Sequence, residues 1–170
     1  MNRNQEDTKM SEFNFSVEIA SIFGAFLKTD DWSYRFDKED GVFYFTLNLH
    51  NKLKNLEYRA RIHNDSFCVY AICPICADVE NPEERAAMAE FICRANYGLR
   101  YGNFEFDVRD GELRFKIFVD CDKKLPSPEV VKNSVYIPAL LFERYAPGIL
   151  AILFNGASAE EAIELSETDA

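Results

Sequence analysis

The sequence predicts an α+β fold: an antiparallel sheet in the order α-ββββ-α-ββ-α, with the helices packed on one face. Three observations carry the prediction. Strands come in runs, each a period-2 alternation of apolar and polar residues. Asp-Gly pairs punctuate those runs where a hairpin must reverse. The helical segments stand apart from the strands, with their own caps and a 3.6-residue apolar period.

In chain order, Phe15, Val17, Ile19, Ile22, Phe23, Phe26 and Leu27 recur at helical spacing, which predicts a helix over 14–28. Lys28 in its last turn suits the helix dipole. Trp32, Tyr34 and Phe36 alternate before Asp40-Gly41, and Phe43, Phe45, Leu47 and Leu49 alternate after it. Pairing outward from that turn sets Phe36 opposite Phe45 and Tyr34 opposite Leu47. Leu56, Tyr58, Ala60 and Ile62 then share one strand face, Asn64-Asp65 forms a tight turn, and Phe67, Val69 and Ala71 continue inward. Cys68, Tyr70 and Ile72 make this fourth strand apolar on both sides, the mark of a central or covered strand.

A helix over 81–97 is well punctuated. Asn81 is its N-cap, Pro82 its first residue, Glu84 stands at the capping-box position, and Gly98 closes it. A hairpin about Asp110-Gly111 follows. Two-residue turn pairing places Arg109 opposite Glu112, Val108 opposite Leu113, Asp107 opposite Arg114, Phe106 opposite Phe115 and Glu105 opposite Lys116. A helix starts at Ser127-Pro128-Glu129, with a kink expected at Pro138 and an interruption at Pro147-Gly148. A short closing helix begins at Ser158, with Glu161 completing a capping box. One domain is expected over 13–165, between a disordered N-terminal tail at 1–12 and an acidic C-terminal tail at 166–170.

Composition narrows the function classes. The chain has 170 residues, fifteen Phe and eight Tyr, enough for one sizeable core. Its net charge of −10 repels phosphate backbones unless a basic patch is segregated, and none is visible in the sequence. Nucleic acid and anionic membrane are therefore not expected partners. No apolar run reaches the ~20 residues of a spanning helix, and the first ten residues lack the apolar core of a signal peptide. A cytoplasmic protein is the expectation. Five cysteines, an odd number, suggest reduced thiols.

Several segments, in this order, resemble the YbjN family, bacterial domains assigned to the regulation of sensory transduction. They are N-P-E-E-R at Asn81–Arg85, R-A-N-Y-G at Arg94–Gly98 with the G-N-F-E-F-D and D-G-E-L-R-F hairpin after it, and E-R-Y-A-P-G-I-L-A-I-L-F-N-G at Glu143–Gly156 followed by S-A-E-E-A-I-E. The resemblance spans roughly residues 15–165. It implies a type III secretion chaperone-like fold and a small, cytosolic, dimeric, non-enzymatic domain, with no catalytic residues or cofactor to carry over. The chain departs from the family pattern in its C-P-I-C segment.

Candidate functional residues fall into three groups. Tyr44, Thr46, Arg59, Arg61, Arg114 and Lys116 point away from the predicted core, and a mixed Tyr/Arg surface suits a protein or peptide partner. A solvated face with cross-strand charge pairs is the plainer alternative. Ile149, Leu153 and Phe154 lie in a segment apolar on almost every side, which either a second copy in a homodimer, the reading favoured here, or the sheet and first helix would cover. Cys73 and Cys76 in Cys73-Pro74-Ile75-Cys76 are the candidates for a redox or metal switch. They lack both a helix N-terminus beside the first thiol and a second ligand pair. His50 and His63 have no nucleophile or paired carboxylate near them in sequence and read as solvated. Two function classes follow: a non-enzymatic, chaperone-like or regulatory interaction module, and a thiol-based switch.

Overall fold

Four short reversals build the sheet, and their chemistry sets its register. In the computed structural model, which describes residues 14–168, the elements are α1 (Val17–Thr29), β1 (Tyr34–Asp37), β2 (Val42–Asn48), β3 (Asn55–Ile62), β4 (Ser66–Ile72), α2 (Pro82–Asn96), β5 (Asn103–Phe106), β6 (Leu113–Asp120), α3 (Pro128–Asn155) and α4 (Ala159–Glu167). The six strands form one antiparallel sheet in the order β1-β2-β3-β4-β6-β5. The α+β prediction holds. The expected N-terminal tail lies outside the described residues. The expected C-terminal tail begins too early, because Ser166 and Glu167 belong to α4, and buried Ser166 donates its hydroxyl to Ala162 O at 2.9 Å.

The two Asp-Gly hairpins are displaced by two residues from the predicted register. Tyr34 faces Phe45 and Phe36 faces Phe43; Phe104 faces Phe115 and Glu105 faces Arg114. Both loops hold four residues rather than two, the second inside a further pair in which Asp107 N–H donates to Glu112 O at 2.9 Å, and they share the sequence Asp-x-x-Asp-Gly. The first Asp caps the loop: Asp37 Oδ1 accepts from the backbone N–H groups of Glu39 and Asp40, and Asp107 Oδ1 from that of Arg109. The Gly takes the left-handed conformation that closes the loop, with φ +65° at Gly41 and +79° at Gly111. A shift of two preserves the in/out alternation, so every predicted inward residue still points inward. Asn64-Asp65 is the tight turn expected, closed by His63 N–H donating to Ser66 O at 2.8 Å.

β4 lies between β3 and β6, which accounts for its apolar residues on both sides. Beyond its end, Cys73 N–H donates to Leu113 O and Ala77 N–H to Gly111 O, so the C-P-I-C segment runs on beside β6. Asn81 caps α2 as expected, accepting from Glu83 and Glu84 N–H. The Glu84 carboxylate does not complete a capping box; it accepts from Asp78 N–H at 2.7 Å.

The helices of the described residues share one face of the sheet. Phe23 of α1 stacks on Phe43 and meets Phe67 edge-on, while Phe104 packs edge-on against Phe115, Phe142 and Tyr145. Each such ring contributes roughly 1.5–3 kcal/mol by burial. α3 is the largest correction: it runs unbroken for 28 residues with Pro138 and Pro147 inside it. The turn opened at Pro138 is repaired from the sheet, where the buried Tyr58 hydroxyl donates to Val135 O at 2.8 Å. Because the prolines do not divide it, α3 is long and apolar enough to cross a membrane by length and composition; half of its most apolar stretch is buried inside the protein, as in a core helix. Gly148 lets α4 and α2 approach α3 closely. A Cβ there would lie 2.4 Å from Ala162 O and 2.7 Å from Phe91 Cε2.

Candidate functional site

With the helices gathered on one side, the opposite sheet face has no described element over it. The strand register turns residues scattered along the sequence into rows across that face. The central row reads Arg35, Tyr44, Arg59, Tyr70, Lys116, Asn103 from β1 to β5. Cations and aromatic rings alternate along it. The next row reads Asp37, Val42, Arg61, Cys68, Phe118. Four of the six outward residues named from the sequence stand in these rows, and Thr46 lies one row over, opposite Glu57. Arg114 lies in that same third row, opposite Ile72 and Glu105.

The cations on this face divide into those already engaged and those that are not. Arg35 stacks on Tyr44 with 4.2 Å from Cζ to the ring centre and reaches Asp37 at 3.4 Å. Arg114 sits 4.7 Å over Tyr70 and pairs with Glu105 at 2.7 Å and Glu112 at 3.2 Å. Lys116 shares Glu105 at 3.5 Å. Such half-exposed pairs are worth little individually, and the cation–π contacts roughly 0.5–1 kcal/mol each. Arg59 and Arg61, in contrast, are exposed and make no ion pair among the described residues. They stand two residues apart on β3, pointing the same way.

Beneath the arginines the face is apolar. Val42, Cys68 and Ile72 point outward yet are buried. Burial, with Cys68 beside it, pushes the Tyr70 phenol up. Phe118 closes the second row and is 58% exposed. At the β1 end a cleft of about 780 Å³ is lined by Trp32, Arg35, Tyr44, Thr46, Arg59 and Tyr136. Its wall is fixed by Asp30, whose carboxylate accepts from Tyr136 Oη at 2.5 Å and Trp32 Nε1 at 2.9 Å; these two hydrogen bonds hold it below the usual carboxylate range.

Parity along the strands had already pointed Tyr44, Arg59, Arg61, Arg114 and Lys116 outward. The same parity turns Tyr70 and Phe118 outward, but as apolar or aromatic residues on strands of their own they join the site only once the register sets them beside the arginines, and Arg35 stands on a strand of only four residues. The register that assembles the rows depends on β4 pairing with β6 across the α2 excursion, which local pattern does not reveal.

The expected dimer residues separate. Ile149 is fully buried within the chain and is not available to a partner, because α3 packs against α4 and the sheet. Leu153 is half-buried and Phe154 is 66% exposed. Phe154 borders a groove of about 660 Å³ with Ile75, Pro147, Leu150 and Leu165. In the C-P-I-C segment, Cys73 is buried and Cys76 exposed, both as free thiols. Burial pushes the Cys73 thiol up to about 11, so at neutral pH it carries its proton. No three His, Cys, Asp or Glu side chains among the described residues are grouped to hold a metal ion.

No protein-family model matches the chain. No curated protein matches it either.

Proposed function

We propose that this protein is a non-enzymatic interaction module, acting in the cytoplasm as a homodimer and binding a protein partner through the open face of its sheet. The observation that carries the reading is the alternating Arg–Tyr row on a face that no described helix covers. Arg and Tyr are favoured at interface hot spots, and the row offers charge, ring faces and an apolar floor in one surface. The resemblance to YbjN-type regulators and to secretion chaperones adds the chaperone-like or regulatory class and the dimer. The groove beside Phe154 and Leu150 offers apolar surface for the second copy, distinct from the sheet face.

Affinity capture with the full chain and with Arg59→Glu/Arg61→Glu tests the reading, alongside light scattering. The expected result is a dimer mass for both proteins, with a captured partner lost in the variant. A monomer in both, with identical captured material from both, would overturn it.

A further inference from the structure

Resting on the interaction-module reading, we infer that the open face takes an extended acidic segment of a partner, with carboxylates at alternate positions lying on Arg59 and Arg61. The argument is one of charge and spacing. Of the cations on the face, Arg35, Arg114 and Lys116 already answer a carboxylate of the chain, whereas Arg59 and Arg61 answer none among the described residues. Two exposed guanidinium groups side by side repel one another, and a carboxylate pair relieves both. Residues two apart on a strand are about 6.7 Å apart, which is also the spacing of same-side residues on an extended partner. Glu or Asp at i and i+2 of such a segment therefore meets both arginines at once, while adjacent acidic residues do not.

The surroundings restrict the partner further. Phe118 lies two strands from Arg61 in the same row, about 10 Å away, and is exposed. Buried Cys68 forms the floor between them. Glu57, exposed on β3 beside Arg59, bounds the site and disfavours an acidic run much longer than the pair. A single-stranded nucleic acid is the competing occupant of a Tyr/Arg sheet face. It is disfavoured here because Arg35 and Arg114 already lie over the Tyr44 and Tyr70 rings that bases would stack on. The net charge of −10 also opposes a long polyanion.

Fluorescence anisotropy with three labelled probes of about ten residues tests the inference: an otherwise neutral peptide with two Glu at i and i+2, its Gln counterpart, and an oligouridylate. The proteins are the wild type, Arg59→Glu/Arg61→Glu, and a charge-matched control, Arg100→Glu/Lys52→Glu, each shown folded by circular dichroism. The Glu peptide is expected to bind saturably, to weaken with added salt, and to lose at least about tenfold in affinity in the β3 variant but under about twofold in the control. Equal binding of the Gln peptide, equal loss in both variants, tighter binding of the oligouridylate, or no binding of the Glu peptide would each overturn the inference. Capture of a protein partner that depends on Arg59 and Arg61, without binding of the Glu peptide, would overturn the acidic segment and leave the interaction-module reading standing.

Discussion

Replacing Tyr58 by Phe removes one oxygen from the centre of the molecule and tests how a 28-residue helix survives a proline in its interior. Pro138 has no N–H to give to Ser134 O, and its ring pushes the preceding turn apart. The Tyr58 hydroxyl fills that opening from the sheet, donating to Val135 O at 2.8 Å with the Ala139 N–H turned toward its oxygen. The ring itself is 1% exposed and stacks on Phe45 with centres 4.9 Å apart, a contact that Phe retains. The loss is therefore one buried hydrogen bond with its acceptor left unpaired, about 1–3 kcal/mol. For a chain of this size each kcal/mol moves the melting temperature by roughly 2–4 °C. Urea and thermal unfolding followed by circular dichroism read the change. Pro138→Ala supplies the control, since a restored N–H at 138 closes the turn and makes the hydroxyl less needed. A double-mutant cycle should thus return a coupling of about 0.5 kcal/mol or more between the two sites. A Tyr58→Phe protein as stable as the wild type, or a cycle with no coupling, would refute the idea that the sheet repairs the helix.

Other outcomes follow from particular contacts. Gly148→Ala places a methyl group 2.4 Å from Ala162 O and 2.6 Å from Ser166 Oγ, so chemical denaturation should show a loss of roughly 1–3 kcal/mol; unchanged stability would mean that α4 can retreat freely. Asp107 is held down to about 2 by the Arg109 side chain and then by the Arg109 N–H. Its folded pKa lies below the unfolded value near 3.9, so its contribution is present above ~4 and disappears as pH falls through about 2. A carboxyl-carbon NMR titration should place its midpoint well below that of an ordinary aspartate, and Asp107→Asn should flatten the acid limb of stability. Alkylation with iodoacetamide near pH 8, read by peptide mass spectrometry, should label exposed Cys76 and Cys93 and spare Cys73 until the protein unfolds; early labelling of Cys73 would contradict its buried, protonated state.

Patterns whose cause is local were read well from sequence, and those whose cause is distant were not. Inward-facing residues such as Tyr58, Phe67 and Phe115 follow from alternation alone, and alternation survives a two-residue slip. Cross-strand partners do not survive it. An Asp-Gly pair reads as a two-residue turn unless the Asp three residues before it is recognised as the loop's cap, as Asp37 and Asp107 are. Proline breaks a helix by default, so the sequence divides α3; the group that rescues it, Tyr58, is 77 residues away from its acceptor. The same distance effect governs the site. Arg59 and Arg61 could be placed outward, but the Tyr70, Cys68 and Phe118 that surround them come from β4 and β6, whose pairing joins the two halves of the chain. Apolar neighbours in sequence assign Ile149 to an interface, whereas it lies fully buried in the protein's own core.

The separation of sheet and helices also sorts charge in space. α4 carries Glu160, Glu161, Glu164 and Glu167 with no Lys or Arg, while Arg35, Arg59, Arg61, Arg114 and Lys116 stand on the opposite side of the molecule. The open face is close to neutral, while α4 concentrates its four carboxylates on the far side. The molecule therefore has a dipole along the sheet normal. A negatively charged partner approaching in solution is turned away from the helices and rotated toward the sheet before any contact forms. Ionic strength should then act chiefly on how fast such a partner arrives, and much less on how long it stays.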